Sequence, residues 1–401
     1  MKRIILFTFY FLLFIFYSKA QVNLVPNPSF EQLDSCPTSI NQIMYASPWF
    51  QPFTDLSGNP NSSTDLFSTC CSNNSCSVPI NFAGTQQPKS GNSYVGLNLY
   101  FTPSSVYREY IENILNDTLS NGKTYCIDFY ISLGDNSKWA ISNIGAYFST
   151  DSCLQVIPPS IELPYTPQVE NSDTLIVKDK VNWQRISLPY QALGGERFMT
   201  IGNFNNNNNT DTMFVGGTTT SAYYYIDDVS VIDISTPAYA GVDTTITIGD
   251  SIFIGRTPEI GLNDDCIWYV NGSPIDTVGG LWVMPDSTTT YILEQTICGY
   301  TTYDTVTVTV LPTHINELFN ENSVRIYPNP TTGETTLEMI GSESNEWLMA
   351  VLDVQGRTVI EKLFNGNKIK LKLALDSGVY LVRITNNNTN ETVIKKLIIN
   401  R

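Results

Sequence analysis

Tyr125-Cys126-Ile127-Asp128-Phe129-Tyr130-Ile131-Ser132-Leu133 is the stretch that decides the fold. Tyr125, Ile127, Phe129, Ile131 and Leu133 fall on one side of an extended chain. Cys126, Asp128, Tyr130 and Ser132 fall on the other. Bulky residues at every second position suit a pleated surface with one face packed. Shorter runs of the same kind lie outward from it, at Trp183-Gln184-Arg185-Ile186-Ser187-Leu188 and Phe198-Met199-Thr200-Ile201-Gly202-Asn203-Phe204, followed by a polar loop from Asn205 to Asn209. The region opens with Asn23-Leu24-Val25-Pro26-Asn27-Pro28-Ser29-Phe30-Glu31 and closes with Tyr223-Tyr224-Tyr225-Ile226-Asp227-Asp228-Val229-Ser230-Val231. Many short strands over some two hundred residues predict a double-sheet jelly roll across 21–234, with Trp49 and Trp183 in its core.

The chain as a whole is all-β in character: 12% aromatic, with 25 Gly and 21 Pro among many Asn, Ser and Thr. At 401 residues it exceeds one small core. A second β-unit is expected over 235–312. There Asn271-Gly272 marks a hairpin turn, and Val306, Val308 and Val310 alternate with Thr305, Thr307 and Thr309. A linker at 313–322 carries the single histidine, His314. The net charge of −16 is unevenly spread: residues 21–322 hold nine Lys/Arg against thirty Asp/Glu, and 323–401 hold ten against eight. So acidic a body repels phosphate backbones, which excludes nucleic acid as a partner.

Residues 1–20 read as a signal peptide, with Lys2 and Arg3, an apolar run from Ile4 to Tyr17, and Ser18-Lys19-Ala20 as the cleavage site. That run is short for a membrane span, no Cys stands directly after the cleavage site to carry a lipid anchor, and no transmembrane span is expected. All eight Cys lie beyond it, which favours disulfides. The expected pairs are Cys126–Cys153 and Cys266–Cys298. Pairing among Cys36, Cys70, Cys71 and Cys76 stays open, and metal binding by the last three is the alternative.

The last segment, 323–401, contains Tyr327-Pro328-Asn329-Pro330-Thr331-Thr332-Gly333, then Asp353-Val354-Gln355-Gly356-Arg357, Gly378-Val379-Tyr380-Leu381-Val382-Arg383-Ile384 and Lys395-Lys396-Leu397. By physics alone this is a small antiparallel β-module. Prolines enforce an extended start, glycines mark reversals, and Tyr380, Val382 and Ile384 share one face. The four pieces, in this order, resemble the C-terminal sorting domain of Bacteroidetes proteins exported by the type IX secretion system. The resemblance rests on Pro328, Asn329, Pro330, Gly333, Asp353, Gly356, Arg357, Gly378, Tyr380, Arg383, Lys395 and Lys396. It implies an address read by the outer-membrane translocon and removed by a sortase-like peptidase. The cargo is then often joined to surface lipopolysaccharide and works at the cell surface or outside it.

The opening and closing motifs of the first region, with Gly122 to Tyr125 and the Trp183 strand, are similar to galactose-binding-like carbohydrate-binding modules. In those relatives the first and last strands often meet beside a structural calcium, which would fall here on Glu31 and Asp228, with Asp227 as a spare. A solvated pair of strand-end acids is the alternative. Sugar recognition needs an aromatic platform and planar polar groups, and the candidates are Trp139, Tyr107, Arg108 and Tyr110. The second unit resembles immunoglobulin-like and PKD-like spacers, departing from antibody domains in having Trp268 two residues from Cys266 in one strand.

One histidine, in a linker, leaves no imidazole for a Ser-His-Asp or Cys-His mechanism, and no phosphate-cradling or dinucleotide motif is present. A glycosidase needs only two carboxylates; Glu109, Glu112 and Glu196 are the nameable ones. Asp followed by Ser or Thr and then an apolar residue or Thr recurs at Thr118, Thr174, Thr212, Thr244, Thr277, Ser287 and Thr305. Composition alone gives about one or two such triplets. The pattern resembles a Bacteroidetes O-glycosylation signal, and a turn preference of Asp-Thr is the alternative. The expectation is a secreted, non-enzymatic surface protein that binds a glycan or acts as an adhesin. A surface-layer or gliding component with protein partners is the second reading, and a carboxylate glycosidase the third.

Overall fold

The computed structural model describes residues 20–54, 63–102, 107–154, 162–172, 174–263, 265–312, 324–340, 346–387 and 392–401. The signal peptide up to Lys19 and the 313–322 linker with His314 lie outside them. Strand dominates throughout, with a single 3-10 turn at Ile43–Tyr45 among the described residues. The chain forms two compact units, up to Val310 and from Leu311.

In the first unit, a five-stranded antiparallel sheet runs in the order Asp65–Ser68, Ser93–Phe101, Ser221–Asp233, Thr124–Leu133 and Gln184–Gln191. A four-stranded sheet of Ile111–Ile114, Phe198–Gly202, Gly145–Ser149 and Val169–Glu170 accompanies it. Tyr125, Ile127, Phe129, Ile131 and Leu133 all enter the main core with Leu97, Ile111, Phe148 and Ile201, as their alternation requires. The closing strand Ser221–Asp233 lies at the centre of its sheet and changes phase partway. Ala222, Tyr224 and Ile226 point into the main core, whereas Tyr223 and Tyr225 join Phe67 and Tyr94 in a second aromatic cluster. A bulge between Asp227 and Ser230, with Asp228 at φ 49°, then turns Val229 and Val231 inward. The N-terminal segment joins here, with Leu24 donating to Val231 O at 2.9 Å and Asn23 bridging to Val229 and Val231.

The second sandwich belongs to the same unit. Its five-stranded sheet runs Thr244–Thr247, Tyr300–Leu311, Thr289–Ile297, Cys266–Val270 and Ser273–Asp276, beside a two-stranded sheet of Ile252–Gly255 and Gly280–Val283. Asn271 and Gly272 take φ of 50° and 77°, as a two-residue hairpin turn demands. Trp268 is fully buried, its Nε1 donating to Val278 O at 2.8 Å. Cys126, Ile232, Ile234, Leu262 and Ile297 form an apolar seam between the sandwiches. Arg185 binds Asp128 and Asp265, and Asn23 N donates to Glu259 at 2.7 Å.

The disulfides correct the sequence reading. Cys126 bonds Cys298, while Cys153 and Cys266 stay buried thiols. The strands before and after the Cys126–Cys153 interval lie in different sheets, and Cys126 points out of the core toward the seam. Cys266 sits opposite Gln295 and faces the core of its own sandwich, whereas Cys298 lies in the turn beyond that strand. The open set resolves as Cys36–Cys70 and Cys71–Cys76.

The C-terminal unit packs a three-stranded sheet of Val324–Tyr327, Glu334–Met339 and Lys368–Lys372 with a four-stranded one in the order Thr358–Asn365, Glu346–Leu352, Gly378–Asn386 and Thr392–Ile399. Val382 and Ile384 are buried with Trp347, Met349 and Leu397, and Tyr380 packs against them.

Two thiols per chain, those of Cys153 and Cys266, are expected to react with a thiol reagent in denaturant without reductant. Mass mapping would place the third bridge at Cys126–Cys298. Replacing Cys126 by Ser should destabilise the first unit by about 2–4 kcal/mol, read as a lowered unfolding midpoint.

Candidate functional site

The residues expected from the sequence to bind a ligand do not converge. Arg108 and Tyr110 are fully buried. Arg108 donates to Asn207 Oδ1 at 2.8 Å and Asn205 O at 3.2 Å, and burial lowers its pKa. Tyr110 donates to Asn203 O at 2.7 Å and accepts from Leu163 N at 3.1 Å. Both tie loops into the fold, which corrects their assignment as ligand contacts. Trp139 is half-buried against the core and packs edge-on to the exposed Phe214, its partner across a short two-stranded sheet. Tyr107 is half-buried and donates to Glu109 at 3.0 Å. Trp49 is buried as expected; Trp183 is only half-buried, over the aromatic cluster.

Glu109 leads instead to a cleft that the sequence did not reveal. The cavity, of about 240 Å³, is lined by Asp65, Phe82, Asn98, Glu109, Asn136 and Tyr223, among others. These come from six separate segments. Asp65 begins an edge strand. Its Oδ1 accepts from Asn41 N at 2.7 Å and its Oδ2 from the Tyr223 hydroxyl at 2.5 Å. Gly96 faces it across the strand pair; a Cβ there would lie 2.2 Å from the Tyr223 hydroxyl, so only glycine admits the ring. Glu109 Oε2 accepts from Asn98 N at 2.7 Å, and Oε1 from the Tyr107 and Ser63 hydroxyls. Phe82 is 45% exposed at the mouth, 5.2 Å from the Tyr223 ring, and Asn136 donates to its carbonyl at 2.8 Å. The Asn98 side-chain oxygen is buried there with no partner.

Electrostatics sets this cleft apart. Burial, then the charge of Glu109, pushes Asp65 up to about 8, and burial also raises Glu109. Two desolvated carboxyl groups in mutual repulsion hold a proton well into the neutral range. Of the other carboxylates named from the sequence, Glu112 is buried in the opposite sheet, where it accepts from Cys153 N at 3.0 Å and burial raises it to about 7. Glu196 accepts from Leu193 N, Gly194 N and the Tyr190 hydroxyl, closing a loop.

Glu31, Asp227 and Asp228 do meet one segment, 89–93, but as acceptors of its donors. Glu31 Oε1 takes Asn92 N and Ser93 N at 2.7 Å each. Asp227 takes Lys89 N at 2.9 Å and Asp228 N at 2.8 Å, and Asp228 takes the Ser90 hydroxyl at 2.6 Å. Oxygens facing N–H donors are poor ligands for a hard cation. Among the described residues no group of three or more acids, Cys or His could hold a metal. These residues do not fit a calcium ion in this arrangement. The seven candidate glycosylation hydroxyls are all at the surface, Thr244 half-buried and the others exposed. Thr118 and Thr277 donate their amides to the preceding Asp, which is also what a turn preference produces.

In the C-terminal unit the recurring residues close turns. Asn329 donates to Lys396 O at 2.7 Å and accepts from Ile398 N at 2.9 Å, fastening the first loop to the last strand. Asp353 accepts from Gln355 N and Arg357 N and pairs with Arg357 Nε at 2.8 Å, while Gly356 supplies φ 79°. Gly333, at φ 131°, lies where a Cβ would crowd Arg401 and Leu373 O at 3.3 Å. Tyr380 donates to Asp376 O at 3.1 Å. Arg383 and Lys396 are exposed, and Lys395 is half-buried.

A raised folded-state pKa at Asp65 fixes the sign of a pH effect. The folded state keeps a proton that the unfolded chain releases near pH 4, so stability falls as pH rises from there to about 8. Unfolding midpoints measured between pH 5 and 8.5 should decline, and Asp65→Asn should flatten the decline.

No curated protein matches the sequence. Among solved structures the chain is similar to the tandem CBM22-1–CBM22-2 domain of Paenibacillus barcinonensis Xyn10C, at 10% identity over 96% of this chain and 92% of that one, TM-score 0.30. It is similar to the K1 adhesin domain of Lys-gingipain from Porphyromonas gingivalis, at 13% identity over 54% and 98%, TM-score 0.27. The match to PorZ, a surface component of the type IX secretion system of the same organism, is at 18% identity with TM-score 0.18. It covers 27% of this chain and only 15% of PorZ. Likenesses this loose carry no argument about function. The family profile described as "Secretion system C-terminal sorting domain" matches residues 325–400, the unit whose turns Asn329, Gly333, Asp353 and Gly356 close. This chain therefore ends in a C-terminal sorting domain and is cargo of the type IX secretion system, destined for the cell surface or the extracellular space.

Proposed function

We propose that the protein is a non-catalytic surface binding protein whose first sandwich takes one sugar unit of a glycan in the Asp65–Glu109 cleft. The observation that carries this reading is the pairing of a half-exposed aromatic ring, Phe82, with a polar floor of carboxyl, amide and hydroxyl groups. A pyranose presents the same two characters, an apolar C–H face and a rim of hydroxyls. The volume suits a single ring, below the ~300–1,000 Å³ of sites for drug-sized ligands. The C-terminal domain is the part that meets the secretion machinery, and its removal by a sortase-like peptidase completes the proposal.

Two alternatives attach to specific observations. The neighbouring carboxyl groups of Asp65 and Glu109 are the parts a glycosidase needs; new reducing ends on incubating the protein with oligosaccharides would establish that chemistry. Exposed Trp282, Met284 and Tyr303 on the second sandwich suit a structural protein with protein partners. Altered cell cohesion on deletion, with no glycan retained, would favour that reading.

The full mature chain is expected to be retained on a glycan array, and Phe82→Ala to weaken the retained ligand by about tenfold, the loss of roughly one aromatic stacking contact. Absence of retention across a broad array would refute the reading. If the Asp-Ser/Thr sites carry sugar, the intact mass of the secreted protein should exceed its sequence mass, and replacing Thr118, Thr277 and Ser287 by Ala should lower it by whole glycan units.

A further inference from the structure

Among the described residues, those around the cleft include two acids and no base. None of these lining side chains is Lys, Arg or His, although Asp65 and Glu109 are 3% and 1% exposed. Asp128, by contrast, has Arg185 beside it at 2.5 Å, whereas Glu112, Glu196 and Asp227 are met by amide and hydroxyl donors alone. The titratable groups facing the pair are Tyr107, Tyr223 and Tyr225, all kept protonated by burial first. They donate hydrogen bonds but bring no charge. Asn98 adds a carbonyl oxygen without a donor, and the backbone around the pair already spends its amides on Asp65 Oδ1 and Glu109 Oε2. Among the described residues the cleft thus combines two buried carboxyl groups and an unpartnered amide oxygen with no positive charge.

We propose that this cleft selects a primary ammonium, so that the glycan unit it takes is an amino sugar with a free amine. The inference rests on the glycan reading of the same cleft and narrows it to one class. An –NH3+ group supplies three donors, matching the two carboxyl groups and the Asn98 oxygen, and its charge relieves the repulsion between the acids. An uronate or sulfated sugar would place a third negative group against them, and an N-acetylated sugar brings a neutral amide in place of the charge. The proton held by the pair leaves as the ammonium enters; it goes to solvent when the amine arrives charged and to the amine when it arrives neutral.

The test titrates the full mature chain with a glucosamine tetramer, its N-acetylated counterpart, a galacturonate tetramer and a tetralysine peptide. Calorimetry is run at pH 6, where the amine arrives charged, in phosphate and again in MES, a buffer with no primary amine. The expected result is a preference of at least about tenfold for the glucosamine tetramer over the N-acetylated form. No galacturonate binding is expected, and the difference in heat between the buffers should report proton release. Asp65→Asn should remove the preference; should that variant misfold, the two-buffer experiment on the native chain still decides. Equal binding of the two tetramers overturns the inference while leaving the glycan reading intact. Tighter binding of tetralysine assigns the cleft to protein lysines and overturns both, as does binding of none of the four together with a blank glycan array.

Discussion

The first unit depends on one constraint, the change of side-chain phase inside its central strand. A strand side chain repeats every two residues, so a slip of one residue sends every later side chain to the wrong face. Ser221–Asp233 uses such a slip deliberately, at Asp227 and Asp228. Before it, Tyr224 and Ile226 fill the main core and Tyr223 reaches the cleft; after it, Val229 and Val231 fill the core and Ile232 reaches the seam with the second sandwich. One strand thereby serves two interiors, the Asp65–Glu109 cleft and a domain junction. The left-handed backbone at Asp228 is tolerated because Asp227 caps its amide and both carboxylates accept from residues 89 and 90.

That constraint explains what could be read from the chain and what could not. Local pattern was enough wherever neighbours in sequence determine the outcome: the Tyr125–Leu133 alternation, the Asn271-Gly272 turn, and the turn-closing residues Asn329, Asp353 and Gly356 of the sorting domain. The Asp227-Asp228 pair was visible as a motif, but its role was not. As carboxylates at a strand end they suggested a cation; as bulge residues they have their oxygens filled by amide and hydroxyl donors. Only the register of the neighbouring strands distinguishes these.

The cleft was illegible for a related reason. Asp65, Phe82, Glu109 and Tyr223 are spread over more than 150 residues and share no spacing. The run Tyr107 to Tyr110 drew notice as a whole, yet side chains of consecutive residues part company on an extended chain. Glu109 turns to the cleft with Tyr107 hydrogen-bonded to it, while Arg108 and Tyr110 turn away to hold loops. The cysteines fail similarly. Parity within each proposed domain suggested two internal bridges, and the seam between the sandwiches placed Cys126 and Cys298 together instead.

The bridge across that seam has a mechanical consequence. Cys126 and Cys298 are 172 positions apart, and Cys298 lies just before the strand Tyr300–Leu311 that leads out of the unit. A tensile load arriving along that strand passes through the sulfur pair directly into Thr124–Leu133, the strand beside the central one. The chain between the two cysteines is bypassed, so it cannot be paid out as slack. A pull between the first sandwich and the end of that strand is met by a covalent strut rather than by the sequential unravelling of a second sandwich.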